Sequence, residues 1–183
     1  GFPWPTVGDE VPEGHRGSGH SMQLINPRLD NDLGGAWRSA APTPAKANSA
    51  VARDTAPPFI ERVEHTPQQP TSSDVVTITA KVTDPDGVDL VKLSYQPVPP
   101  GGYIARKDSA YEALWFNLDM RDDGLDGDAV AGDDVYSVQM PAEVQVNRML
   151  VRYRLFVLNS IGEYRQAPYA DDPQPNFAYF VYD

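Results

Sequence analysis

Apolar and polar residues alternate along the last two thirds of the chain, in short runs separated by turn residues. Residues 76–83 show this most plainly, since Val76, Ile78, Ala80 and Val82 fall on one face of an extended chain. Successive side chains of a β-strand point to opposite faces, so the two-residue period predicts a strand that is buried on one side. No run of useful length follows the helical period.

The same alternation predicts six further strands with turns between them. They fall at residues 60–64, 91–95, 114–118, 136–140, 151–157 and 177–182. Pro and Gly interrupt strand pairing, so residues 97–102 are expected to end the strand before them. About seven short antiparallel strands predict an all-β fold, a two-sheet sandwich of the immunoglobulin or fibronectin type III kind.

Residues 1–58 have a different character, because they are rich in Gly, Pro, Ser and Ala and show little alternation. The apolar run at residues 22–25 predicts one strand there. Residues 40–45 are expected to be extended, since Pro fixes its own φ and biases the preceding residue away from helix. We therefore divide the chain into an extended, mostly irregular segment, residues 1–58, and a β-sandwich, residues 59–183.

The chain contains no Cys, which excludes disulfides, thiolate metal sites and Cys nucleophiles. The core of the sandwich must therefore be held by packing alone. Leu114, Phe116 and Leu118 are expected to face it together. The large aromatic side chains expected in the core are Tyr95, Trp115, Phe116, Tyr136, Tyr153 and Phe156.

The charge balance limits the classes of partner. With 15 Lys and Arg against 26 Asp and Glu, the formal net charge is −11. The basic residues are dispersed, so the clustered basic surface that binds nucleic acid is not expected, nor is attraction to anionic lipid. No segment approaches the ~20 apolar residues of a membrane-spanning helix. Protein partners are expected, and carbohydrate stays an alternative.

Acidic residues concentrate in residues 119–134, where seven Asp and the single Arg121 give a charge of −6. Crowded carboxylates repel one another unless they are solvated, protonated or neutralised by a cation. Calcium suits such a loop because it accepts six to eight oxygen ligands in flexible geometry. The alternative is that Asp and Gly simply build successive turns. The candidate calcium ligands are Asp122, Asp126, Asp128 and Asp133.

No catalytic motif stands out. The three His residues match no zinc spacing, and neither the Gly-x-Ser-x-Gly nucleophile motif nor a phosphate-binding Gly-rich loop occurs. We therefore expect a non-catalytic protein, with a hydrolase that uses an unrecognised pair of carboxylates as an alternative. Tyr and Trp often anchor protein interfaces, and Trp4 and Tyr169 are the candidate surface aromatics.

Two stretches resemble a known class of bacterial extracellular protein. SGHSMQLINP at residues 18–27 and LDNDLGGAWR at residues 29–38 resemble the end of a bacterial lamin-tail domain. Residues 57–183 resemble the immunoglobulin-like module that follows it in large surface proteins, often ahead of a spore-coat-protein-H-type (CotH) kinase. The residues that carry this second likeness are TDPDGV at 83–88, DDG at 122–124, GDAVAGD at 127–133 and PYADDPQPNF at 168–177.

The resemblance implies an extracellular or periplasmic module that docks or spaces parts of a larger assembly, a role that an accessory subunit can fill. It carries over no phosphoryl transfer, because fold resemblance alone does not transfer an activity. A calcium-dependent adhesion or carbohydrate-binding module is the alternative function that the acidic loop favours. The expected cofactor is therefore none, or Ca²⁺ bound at that loop.

Overall fold

The computed structural model describes residues 21–31, 34–48, 54–169 and 174–183, and within them the chain is an antiparallel all-β protein. Three short 3₁₀ turns are the helices of the described residues, and none of these is long and apolar enough to cross a membrane. The strands are β1 (Ser21–Leu24), β2 (Trp37–Ala40), β3 (Phe59–Thr66), β4 (Thr77–Thr83), β5 (Val88–Val98), β6 (Phe116–Asp119), β7 (Val135–Gln139), β8 (Leu150–Asn159), β9 (Tyr164–Ala167) and β10 (Phe177–Phe180).

Eight of these strands form two sheets. One sheet has the order β3-β4-β7, and the other has the order β10-β8-β5-β6. In the larger sheet β5 pairs along the whole of β8. The opposite side of β8 is shared by two short strands: β10 pairs with the first half of β8, and β9 pairs with its second half. The remaining two strands, β1 and β2, pair with each other in a separate two-stranded sheet.

The core lies between the two larger sheets and confirms the two-residue period. Ile78, Ala80 and Val82 of β4 are fully buried in one cluster with Leu93 of β5 and Leu155 of β8. Alternation places one face of each strand toward this cluster, because the side chains of a strand point to opposite sides. The sequence-based prediction of an all-β sandwich is therefore confirmed.

The region around β6 differs from its prediction. Leu114 was expected to face the core, but it is 67% exposed and has a φ of 61°. Phe116 is 52% exposed, although its ring still stacks on Tyr95 at a centroid distance of 5.5 Å. Of the other predicted core aromatics, Tyr95 and Tyr153 are buried and Tyr136 is half-buried against the core. The prediction was wrong for Trp115 and Phe156, which are half-buried outside the core cluster. The positive φ at Leu114 turns the chain just before β6, and alternation of residue types cannot reveal such a turn.

The strand β5 continues through Pro97 to Val98, whereas we expected it to end before Pro97. The Met120 N–H donates to Val91 O at 2.8 Å, so Val91 directs its backbone groups toward the β6 side. Since these directions alternate, the ring nitrogen of Pro97 also faces that side. The register ends at Phe116 opposite Tyr95, so no β6 residue opposes Pro97 and no hydrogen bond is lost.

The connection from β5 to β6 folds over the outer face of the larger sheet and is fastened by two buried polar residues. Gln96 Nε2 donates to the carbonyls of Ala113 at 2.9 Å and Tyr111 at 3.2 Å. Arg152 donates to Gln96 Oε1 at 3.2 Å and to Ile104 O at 2.9 Å. Buried polar groups are costly unless they are bonded, so these contacts fix the path of the connection.

The described part of the N-terminal segment folds against the sandwich of its own chain. Strand β1 overlaps the apolar run at residues 22–25 that predicted it, and a 3₁₀ turn at Gly34–Ala36 leads into β2. Arg165 of β9 donates to Gly35 O at 2.9 Å, and Thr55 donates to Glu163 at 2.8 Å. The division at residue 58 stays a prediction, but these contacts show that the two parts pack together.

Candidate functional site

The acidic loop connects β6 to β7 and so passes from one sheet to the other. Just after β6, Arg121 and Ser137 exchange two backbone hydrogen bonds, at 3.0 and 2.8 Å, which attach the start of the loop to β7. At Gly127 the loop approaches β4 closely, since a Cβ there would lie 2.8 Å from the Thr77 methyl group. With a φ of 100° as well, this position requires glycine.

Asp122 holds the end of the loop through three consecutive amides. Its Oδ1 accepts the N–H groups of Gly132 at 2.6 Å and Asp133 at 3.3 Å, and its Oδ2 accepts that of Asp134 at 2.9 Å. Asp133 Oδ1 accepts from Val135 N at 3.0 Å. Asp122 and Asp133 therefore stabilise turns through their side chains. This is the alternative explanation of the acidic loop that the sequence left open.

Three of the four candidate calcium ligands lie together. Asp122, Asp128 and Asp133 each offer a carboxylate oxygen, and these oxygens lie within 4.8 Å of one another. Asp128 is only 8% exposed and accepts the Gly124 N–H. Asp126 is not part of this group; it has a φ of 49° and lies on the exposed surface of the loop. The three grouped residues are called the Asp triad below.

The Asp triad could hold a cation chemically while keeping its backbone bonds. A carboxylate has about four lone-pair sites, so accepting one to three amide hydrogens leaves sites free. Calcium binds such oxygens at about 2.3–2.6 Å, and three of them can surround one ion if they converge. The negative charge of the loop also affects the nearby Tyr136. Burial raises the pKa of its phenol, and the carboxylates of Asp122 and Asp134 raise that pKa further.

The two predicted surface aromatics have different outcomes. Trp4 lies outside the described residues. Tyr169 is half-buried and binds residues of its own chain: Arg165 Nη1 donates to its hydroxyl at 2.9 Å, and the Arg38 guanidinium lies 4.8 Å from its ring centroid. The ring therefore helps to attach the N-terminal segment, and its use by a partner stays a prediction.

A feature that the sequence did not reveal is the free edge at β6. This strand ends the larger sheet and pairs only with β5 among the described strands. Exposed apolar groups flank it, including Leu114 and Phe116. An edge strand offers unpaired N–H and C=O groups to another chain. The only signal in the sequence was an apolar run, which suits an inner strand equally well.

Comparison of the chain with protein-family models and with curated proteins finds no match.

Proposed function

We propose that this chain is a non-catalytic docking module of the immunoglobulin-like β-sandwich type, which joins or spaces parts of a larger bacterial assembly outside the cytoplasm. The observation that carries the proposal is the unpaired edge of β6 beside exposed apolar side chains. Partners commonly add a strand to such an edge, with main-chain hydrogen bonds for affinity and side chains for specificity. The bacterial extracellular or periplasmic setting rests on the resemblance to lamin-tail proteins.

The backbone directions along β6 make this edge suitable for a partner strand. Met120 bonds Val91 across the ladder, and such cross-strand bonding alternates along an antiparallel pair. Leu118 and Phe116 therefore bond toward β5. By the same alternation, Asn117 and Asp119 direct their N–H and C=O groups away from β5, toward the free side. Arg121 uses the same side two residues after Asp119 to bond Ser137 of β7, so the part of this edge that is open to an extended partner segment lies at Asn117.

The arrangement of the acidic residues favours a non-catalytic role over the hydrolase alternative. Among the described residues, the clustered carboxylates lie in a connecting loop and accept backbone N–H groups. A glycosidase pair instead faces a substrate cleft from opposite sides of the scissile bond. The carboxylates of this loop therefore support the architecture of the chain.

Photo-crosslinking in cells that make the protein tests the proposal. Phe116 is replaced by p-benzoylphenylalanine, with the same replacement at the exposed Tyr182 as control. We expect a discrete protein adduct at the β6 position only. The substitution Asn117→Pro removes an outward N–H and should abolish the adduct. Asn117→Ala loses the same side-chain bond to Ser94 but keeps the N–H, so its adduct should persist. An adduct that survives Asn117→Pro in a folded variant contradicts edge docking.

The Asp triad favours a second candidate function, a calcium-dependent adhesion or carbohydrate-binding module. Its three oxygens lie within 4.8 Å of one another at one end of the sandwich, where a bound ion would stiffen the β6–β7 loop. Calcium titration followed by chelation distinguishes this candidate from the first, because docking through the β6 edge requires no ion.

A further inference from the structure

A cavity of about 390 Å³ lies at one end of the sandwich, where the N-terminal segment meets it. Pro57 forms part of its wall on the segment side, and Phe59, at the start of β3, continues that wall. On the opposite side are Asp84 in the turn after β4, and Asp134 and Tyr136 around the start of β7. The volume falls in the range of small-molecule sites, about 300–1,000 Å³.

The charged groups of this cavity are all negative. Asp84 and Asp134 line it, and no Lys, Arg or His is among the lining residues. Within the described part of the chain, neither carboxylate forms an ion pair. Among the described residues, the carboxylate of Asp84 accepts hydrogen bonds only from neutral groups, the Asp86 N–H at 2.8 Å and Asn159 Nδ2 at 3.1 Å. The cavity therefore offers two carboxylates that no cation of the described chain neutralises.

The environment of Asp84 favours a cationic occupant. Burial raises the pKa of its carboxyl, against the smaller lowering effect of its hydrogen bonds. A positive charge close by would reverse that penalty, because an opposite charge stabilises the ionised form of a carboxyl. Asp134 is held in place by its backbone, whose N–H donates to Asp122 and whose carbonyl accepts from Val82, both at 2.9 Å.

The remaining walls suit an apolar body rather than a hydrated metal ion. Phe59, Pro57 and the ring of Tyr136 supply carbon surface beside the carboxylates. The hydroxyl of Tyr136 makes no hydrogen bond with a described residue, so it is available as an acceptor or a donor. Aromatic rings attract organic cations through their negative faces.

We propose that this cavity binds an organic cation, an ammonium or guanidinium group carried on an apolar chain. The charged group lies between Asp84 and Asp134, and the chain packs against Pro57, Phe59 and Tyr136. A free amine or guanidine and the Lys or Arg side chain of a partner protein share this chemistry. The proposal does not depend on docking at β6.

Calorimetric titration of the full chain at constant ionic strength tests the proposal. The probes are butylguanidinium, its neutral isostere butylurea, and the peptide Gly-Gly-Arg-Gly-Gly. We expect saturable binding of a guanidinium probe and at least about tenfold weaker binding of butylurea, which corresponds to about 1.4 kcal/mol. Preference for butylguanidinium indicates a small-molecule ligand, and preference for the peptide indicates a partner side chain. No saturation with either guanidinium probe, or equal affinity for butylurea, overturns the proposal.

Matched variants localise the effect. Asp134→Asn should weaken guanidinium binding about tenfold, and Tyr136→Phe should weaken it less. Asp89→Asn removes the same charge at an exposed position outside the cavity, so it should leave affinity unchanged. Equal loss in Asp89→Asn and Asp134→Asn would show unspecific attraction to an acidic protein and would reject the site. Asp84→Asn checks independently that guanidinium binding depends on the carboxylates of the cavity. Thermal unfolding shows that each variant is folded.

Discussion

Arg165 donates a buried hydrogen bond from Nη2 to the carbonyl of Gly35 at 2.9 Å, and so attaches β9 to the turn before β2. Its other terminal nitrogen, Nη1, donates to the Tyr169 hydroxyl, so one guanidinium binds both the N-terminal segment and the chain after β9. The contact is close on the segment side as well, since a Cβ on Gly35 would lie 2.2 Å from Pro57 O. This packing also forms one wall of the cavity lined by Asp84.

Gly35→Ala should loosen the N-terminal segment. No side chain fits within 2.2 Å of a carbonyl oxygen, so the backbone must shift and the Arg165 bond must lengthen. We expect a loss of about 1–3 kcal/mol in unfolding free energy, as for other overpacked sites. Hydrogen exchange of the β1 and β2 amides should accelerate. Lys46→Ala, an exposed change in the same segment, should alter neither quantity. Unchanged exchange in Gly35→Ala would contradict tight docking.

Arg152→Ala should destabilise the fold more than Arg154→Ala, two residues along the same strand. Arg152 is buried, and its removal leaves Gln96 Oε1 and Ile104 O without their donors. We expect a loss of about 3 kcal/mol, because buried acceptors that lose a charged donor are left desolvated. Arg154 pairs with the exposed Glu112 and lies over the ring of Trp115 at 4.1 Å, but no buried acceptor among the described residues depends on it, so its loss should cost about 1–2 kcal/mol. Urea denaturation measures both, and equal effects would contradict the role given to Gln96.

The sequence predicted the fold where local pattern and burial agree. Along β4 the alternation of Ile78, Ala80 and Val82 with Thr and Lys matches the buried and half-buried positions residue by residue. It failed at Leu114, whose positive φ rotates the side chain outward without changing the residue pattern. It also missed β9, four residues in which Arg165 and Ala167 are the buried positions. An arginine buried by contacts with a distant segment has no local signature.

The candidate site was predictable in part for a similar reason. The concentration of Asp suggested four ligands in the acidic loop, and the fold brings three of them together. Asp126 lies outside the triad, on the exposed surface of the loop. The cavity at Asp84 could not be predicted, since its walls come from the N-terminal segment, β3, β7 and the turn after β4. Only the tertiary structure brings these elements together.

Asp84→Asn should change how stability depends on pH. Burial raises the pKa of Asp84 in the folded state, so the native protein binds this proton more tightly than the unfolded chain. The contribution of Asp84 is therefore most favourable below its unfolded pKa of 3.8, and it declines as pH rises through the folded pKa. The wild type minus variant difference in unfolding free energy should fall over that window and then level off. A difference that rises with pH would show that the hydrogen bonds from Asn159 and Asp86 outweigh burial and lower the pKa of Asp84 in the folded protein.

The calcium-binding candidate predicts a stabilisation that depends on Asp128. If the Asp triad binds calcium, a concentration about 100-fold above Kd should add about 2.7 kcal/mol to the unfolding free energy and raise Tm reversibly. Asp128→Asn keeps an oxygen to accept the Gly124 N–H but removes a charged ligand, so the shift should disappear while the variant stays folded. Asp126→Asn makes the same chemical change outside the triad and should leave the calcium response intact. If millimolar calcium produces no shift that a chelator reverses, the triad serves only to build the turns. Each of its carboxylates then acts by accepting backbone N–H groups, Asp122 from Gly132 and Asp134, Asp128 from Gly124, and Asp133 from Val135.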